Sequence, residues 1–299
     1  MGTYRKSKLG AGRSHSDLAP EWHSQRVPRL CSSPSFLHPS TNRWGAAATL
    51  LSDGKVLVVD GWTTFRPGPP DYGSAEIYDP IEGGWTPTGG LVYGRSTGTA
   101  TLLMDGRVLA VGGWVEAQLY DPATGSWTLT GSLGYVPMGH TATRLNDGTV
   151  LVAGGLGYSS RPQPHTIAVS NVELYDPTTR AWSLVGNLNV GRYGHTATLL
   201  PDGKVLVVGG QHHDDTGASV PLKSTELYDP ATRTWLLADD LGTGRAYHTE
   251  TLLRVRRREL PTEGMVLVAG GDNAARPSDD FNSLSSVELR PPPIPPILE

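Results

Sequence analysis

The densest run of side chains able to ligate a metal or move protons is Gln211-His212-His213-Asp214-Asp215. Imidazole and carboxylate groups together suit a divalent transition metal such as zinc, iron or manganese. His212 is therefore a candidate metal ligand, and His213 and Asp214 are candidate acid–base groups. Asp272, Asp279 and Asp280 are carboxylates that a neighbouring loop could add. Against convergence, adjacent residues seldom all reach one ion, and this run lacks helical i, i+4 spacing. A second set is dispersed but in register: His140, His195 and His248 occupy the same place in a recurring unit. Three imidazoles brought together would form a metal site, and His195 is also a candidate catalytic group. Three residues before these positions stand Arg43, Arg95, Arg192 and Arg245, with Pro137 in the third unit. Guanidinium groups on one rim would suit an acidic ligand through their fixed donor fork. Tyr158, His165, Tyr193 and Tyr247 are candidate ligand-binding residues, and Trp62, Phe65, Tyr72 and Phe281 could line the same pocket. Neither a Walker-type phosphate loop nor a Gly-x-Ser-x-Gly elbow occurs.

What must position these residues is a repeat. Gly194-His-Thr-Ala-Thr-Leu-Leu-Pro-Asp-Gly-Lys-Val-Leu-Val-Val-Gly-Gly210 recurs in variant form along most of the chain. Asp-Gly pairs stand at Asp53-Gly54, Asp105-Gly106, Asp147-Gly148 and Asp202-Gly203, with Glu263-Gly264 as a degenerate fifth. Gly-Gly pairs stand at 112–113, 154–155, 209–210 and 270–271, with Asp60-Gly61 as the divergent first copy. Tyr-Asp-Pro begins at Tyr78, Tyr120, Tyr175 and Tyr228, and each is followed by a tryptophan: Trp85, Trp127, Trp182, Trp235.

Each unit reads as four strands, a to d. Thr-Ala-Thr-Leu-Leu alternates like a half-buried strand, while Val-Leu-Val-Val is a short apolar run buried on both faces. Asp-Gly joins them as a hairpin, Gly-Gly ends strand b where backbone must approach closely, and Asp-Pro starts the c–d turn. The tryptophan opens strand d and offers a large apolar face to a neighbouring sheet. Strands of alternating direction put the b–c loops and d–a connections on one face. The long b–c loops are 61–74, 155–170, 210–224 and 271–286, whereas the second unit has only a few residues near 114–117.

The order Arg…His, Asp-Gly, Gly-Gly, Tyr-Asp, Trp resembles the Kelch repeat over residues 43–290. The resemblance implies an all-β, Kelch-type β-propeller of five four-stranded blades; a stacked solenoid of the same units is the competing arrangement. Only four units complete strand d, so the last blade is expected to take a closing strand from the N-terminal extension, residues 1–42, around Trp22, or to leave the ring incomplete. Residues 291–299 form a proline-rich tail. In the Kelch pattern the histidine serves packing and the arginine braces the strand entrance, the structural alternatives to the metal and ligand roles above. Kelch propellers often bind peptides or other ligands on the long-loop face, and some are enzymes.

The expected function is thus binding of a protein, peptide or glycan there. The alternative is a small-molecule enzyme of isomerase, lyase or oxidoreductase type using the His/Asp groups, with or without a divalent transition metal.

The 299 residues suffice for a large core, and the abundance of glycine (37) and proline (24) against 18% charged residues favours short strands and turns over a helical bundle. A net charge of −4 gives no electrostatic reason to bind nucleic acid. The single cysteine, Cys31, excludes an intrachain disulfide. No apolar run is long enough to span a membrane as a helix. The basic start Met1-Gly2-Thr3-Tyr4-Arg5-Lys6 lacks a following apolar core, so no signal peptide is expected and the default compartment is the cytoplasm, with export left open.

Overall fold

Alternating and apolar runs joined by turn-forming pairs fold here into successive antiparallel sheets. The computed structural model describes residues 43, 45–61, 73–94, 98–159, 165–214, 217–253, 264–273 and 283–290. Blade 1 comprises β1 (Ala47–Leu50), β2 (Val56–Val59), β3 (Ala75–Asp79) and β4 (Gly84–Thr88). Blade 2 comprises β5 (Thr99–Leu102), β6 (Val108–Gly112), β7 (Trp114–Asp121) and β8 (Ser126–Ser132). Blade 3 holds β9 (Thr141–Arg144) and β10 (Val150–Ala153), then a hairpin of β11 (Leu156–Ser159) and β12 (His165–Ala168), then β13 (Asn171–Asp176) and β14 (Ala181–Asn187). Blade 4 repeats that plan with β15 (Thr196–Leu199), β16 (Val205–Val208), the hairpin β17 (Gln211–His213) and β18 (Ser219–Pro221), then β19 (Thr225–Asp229) and β20 (Thr234–Ala238). Blade 5 has β21 (Thr249–Leu252), β22 (Val266–Ala269) and β23 (Val287–Arg290) among the described residues.

Each blade runs a-b-c-d in space as in sequence, and strand a of each blade touches strand a of the next, from β1 through β5, β9 and β15 to β21. The five sheets therefore stand radially around the a strands, a five-bladed propeller arrangement. The expected closing strand around Trp22 lies outside the described residues, as do residues 1–42 and 291–299. No helix among the described residues is long and apolar enough to cross a membrane.

Strand b is apolar on both faces because it faces two cores. Val108 and Ala110 pack toward blade 1 with Leu57, Val59 and Trp127, whereas Leu109 and Val111 pack toward blade 3 with Val150, Val152 and Tyr175. The same alternation gives Leu151 and Ala153 to the seam with blade 4, and Leu206 and Val208 to the seam with blade 5. Apolar surface buried in these seams stabilises the fold by about 25 cal/mol per Å².

The Tyr…Trp pairs fasten blades 2 and 3 each to the one before it. Tyr120 and Trp127 pack ring to ring at 5.0 Å. Tyr120 shares a 2.7 Å hydrogen bond with Thr88, and the Trp127 indole donates to the Gly89 carbonyl at 2.7 Å. One blade on, Tyr175 meets Thr130 and Trp182 donates to Gly131. Aspartate opens each c–d turn by accepting the amide two residues later, as Asp121 does from Ala123. In blade 2 the b–c connection shrinks to Gly113, since Gly112 pairs directly with Trp114. In blades 3 and 4 it is the extra hairpin rather than irregular loop.

Candidate functional site

The long-loop face is built on the d–a junctions. Arg192 is fully buried. Its Nη1 donates to the carbonyls of Gly209 and Ser224, both at 2.9 Å, and its Nη2 pairs with Glu226 at 2.5 Å. Glu226 in turn accepts the amides of Asn189 and Val190. Arg245 repeats this with Gly270, Ser286 and Glu288, and Arg43 with Asp60, Ser74 and Glu76. The expected rim of guanidinium groups facing an acidic ligand therefore does not form at these positions. Each arginine turns inward, toward a buried carboxylate on strand c and two backbone carbonyls, one at the end of strand b and one at the start of strand c. Arg95 lies outside the described residues.

Blade 3 has no such arginine, and its substitute was not legible beforehand. The Tyr135 hydroxyl donates to the Gly154 and Asn171 carbonyls, the pair that an arginine serves in blades 4 and 5. Glu173 keeps the Gly134 amide at 2.9 Å, and burial pushes its carboxyl above the usual carboxylate range. In blade 2 a neutral Gln118 performs the same turn closure with Val92 and Tyr93.

The three histidines are buried, and each bonds strand a of the preceding blade. His140 Nε2 meets Thr99 at 2.9 Å, His195 meets Thr141 at 3.0 Å, and His248 meets Thr196 at 2.8 Å. Burial, reinforced by Arg192 and the neighbouring imidazoles, holds His195 well below its ordinary pKa; burial and then Arg245 push His248 down to about 4. Both are neutral linkers at physiological pH. Among the described residues no three His, Cys, Asp or Glu side chains stand together to hold an ion.

The Gln211–Asp215 run splits. His212 and His213 are successive residues of β17, so they project to opposite faces of the strand. His213 stacks on Tyr193 with centroids 5.5 Å apart, and its Nδ1 accepts the Ala168 amide of β12 at 3.1 Å. Asp214 closes its own hairpin by accepting the Ala218 amide. Asp215, Asp279 and Asp280 lie outside the described residues, as do Trp62, Phe65, Tyr72 and Phe281. Tyr158 and His165 sit on β11 and β12, paired with Thr166 and Ser159.

What the fold does assemble is aromatic. Tyr193 bonds Ser219 through its hydroxyl at 2.7 Å and meets Tyr247 edge-on at 6.5 Å. Successive junctions join through backbone, Gly194 N to Gly139 O and Tyr247 N to Gly194 O. Gly139 and Gly194 adopt φ of 64° and 62°, and Tyr247 holds the equivalent place at 53°. A tyrosine in the left-handed region, 63% exposed, is costly by itself, and such strain gathers at functional sites. Partial desolvation, with Tyr193 and Asp272 adding, pushes the Tyr247 phenol up to about 12, so it stays a neutral donor. The signal was in the sequence: Gly-Arg-Tyr-Gly-His in blade 4 becomes Gly-Arg-Ala-Tyr-His in blade 5. On the opposite face, a cleft of about 370 Å³ between blades 2 and 3 is lined by Met104, Arg107, Asp147 and Arg180, with Arg107 already paired to Asp105 at 2.6 Å.

Radial sheets, a-strand histidine linkers and Tyr–Trp seams define a β-propeller whose loops gather on one face. The Kelch motif matches residues 192–242, which span blade 4. The chain is 39% identical over 75 residues to an F-box/kelch-repeat protein of Arabidopsis thaliana, covering 25% of this chain and 19% of that protein. It is 28% identical over 118 residues to Kelch-like protein 36 of Bos taurus, covering 39% and 17%. The chain thus spans less than a fifth of either relative's length. The solved structure of YjhT superposes with a TM-score of 0.65 at 15% identity, over 84% of this chain and 82% of that one. The motif match and these relatives support a Kelch-repeat family for a chain with a propeller fold.

Proposed function

We propose that this propeller is a binding module whose ligand, a protein, peptide or glycan with a flat apolar face, docks on the long-loop side against Tyr247. The carrying observation is an exposed aromatic ring held at positive φ where the three other described junctions have glycine, Gly45, Gly139 and Gly194. Tyr193, Ser219 and His213 back that ring through stacking and hydrogen bonds, so the platform is fixed before a ligand arrives. Aromatic faces with polar edges suit sugar rings and apolar peptide side chains alike. The enzymatic alternative has weaker support, because the imidazole of His195 is sunk beneath the surface and bonded to Thr141.

The test is Tyr247→Gly, which removes the ring while suiting the backbone conformation. Purified protein would be applied to glycan and peptide arrays, with affinities measured for captured probes. At least a tenfold loss of affinity, with an unchanged or higher melting temperature, is expected. Affinity equal to that of the parent protein would remove the platform from the binding site.

A further inference from the structure

Glu250 is the second residue of β21, where the other a strands carry Ala48, Ala100, Ala142 and Ala197. Ala100, Ala142 and Ala197 pack into the cores shared with the preceding blades. The same register carries Glu250 into the seam between blades 4 and 5, where Leu252, two residues on, packs against Leu200, Leu206 and Val266. Both carboxyl oxygens are buried, and the hydrogen-bond donors beside them among the described residues are neutral hydroxyls at the margin of bonding geometry. From β15 the hydroxyls of Thr196 and Thr198 lie beside them, and β22 contributes Val268 opposite its backbone. Among the described residues, the charged or titratable groups near the seam are Arg192, Tyr193 and His195 from blade 4, and Arg245, Tyr247, His248 and Asp272 from blade 5. Both arginines are committed to their own glutamates, and both histidines are held neutral. No described cation pairs with Glu250. Burial accordingly raises it to about 7.

The same seam carries the aromatic platform. Tyr247 N donates to Gly194 O at 2.8 Å, and the Tyr247 ring lies against Gly194, where an added Cβ would meet its Cε1 at 2.8 Å. Tyr193 belongs to the blade 4 junction and Tyr247 to that of blade 5, so their contact exists only while the blades are docked.

We infer that Glu250 is a proton-operated latch: protonated, it lets blade 5 seat against blade 4 and completes the Tyr193–Tyr247 platform, whereas its ionisation loosens that seam. The link to ligand rests on the binding reading above; the latch does not. For the sign, an unfolded glutamate ionises near 4.5 while the folded one holds its proton to about 7. The folded state therefore binds more protons in between, and the stability of the seam falls as pH rises through that window, then levels off.

The experiment uses the whole chain without ligand, comparing it with Glu250→Gln and with Glu250→Ala, the residue found in the other blades. Melting temperatures are measured from pH 4.5 to 8.5 and subtracted. The parent protein should lose several degrees relative to both variants as pH rises through the window. Hydrogen exchange, corrected for intrinsic rate, should show residues 194–198 and 247–251 losing at least tenfold protection between pH 5.5 and 8 in the parent and not in Glu250→Gln. A flat difference curve would overturn the latch. A curve that bends while Tyr247 keeps its protection would overturn its coupling to the platform. Failure of Tyr247→Gly to affect ligand binding would touch neither result.

Discussion

Blades 3 and 4 solve one problem with different chemistry. In each, the d–a junction must satisfy two carbonyls at the end of strand b and the start of strand c, and must cap a buried glutamate. Blade 4 uses Arg192, which reaches both carbonyls and neutralises Glu226. Blade 3 uses the Tyr135 hydroxyl for the carbonyls and leaves Glu173 with a single amide. The phenol brings no charge, so the glutamate it accompanies is shifted toward its neutral form. The comparison teaches that the repeat's arginine is a backbone clamp, and that the clamp can be rebuilt from elsewhere in the junction when the arginine is lost.

The most damaging break in this comparison is Arg192→Ala. It would leave buried Glu226 without its cation partner and take the Arg192 donor from the Gly209 and Ser224 carbonyls, at a cost of about 3–5 kcal/mol. Chemical denaturation should show that loss, with Arg192→Lys recovering only part. A variant within about 1 kcal/mol of the parent would mean that the clamp contributes little.

Next is Gly154→Ala, where the two blades meet. Its φ is 63°, and an added Cβ would come within 2.5 Å of Arg192 O and 2.9 Å of His195 Cε1. Neither neighbour can yield freely, so a loss of about 1–3 kcal/mol is expected. Thermal unfolding would measure it.

Smallest is Tyr135→Phe, which takes the hydroxyl donor from the Gly154 carbonyl for about 1–2 kcal/mol. The companion change Glu173→Gln sharpens the contrast. Because the folded carboxyl is raised, its penalty is absent below the ordinary glutamate range and grows as pH rises through the folded value. Glu173→Gln should remove that part of the pH dependence, and the change should track the protonation of Glu173 alone.

Much of the scaffold was legible in the residues. The Asp-Gly hairpins, the doubly buried strand b and the Asp-Pro turns are local chemistry, written at fixed spacing and repeated often enough to be unmistakable. Tryptophan packing against a neighbouring blade was likewise readable, since so large an apolar surface needs a partner. The site was less legible. Arg192 and Arg245 looked like a rim because spacing gives a side chain's place in the repeat but not the direction it takes. Inside the fold they turn toward Glu226 and Glu288, residues more than 30 positions away. His212 and His213 looked like one cluster, yet a strand's alternation sends them apart.

The sequence alone determined the repeat, its strands and its turns, because these depend on interactions within one unit of chain. Only the tertiary structure decided which polar groups are spent on the scaffold and which remain for a ligand. Those decisions are made across seams, where Tyr193 meets Tyr247 and Glu250 enters a core that the other blades fill with alanine. A carboxylate or a ring acquires its role there from what surrounds it, and those surroundings come from a neighbouring blade.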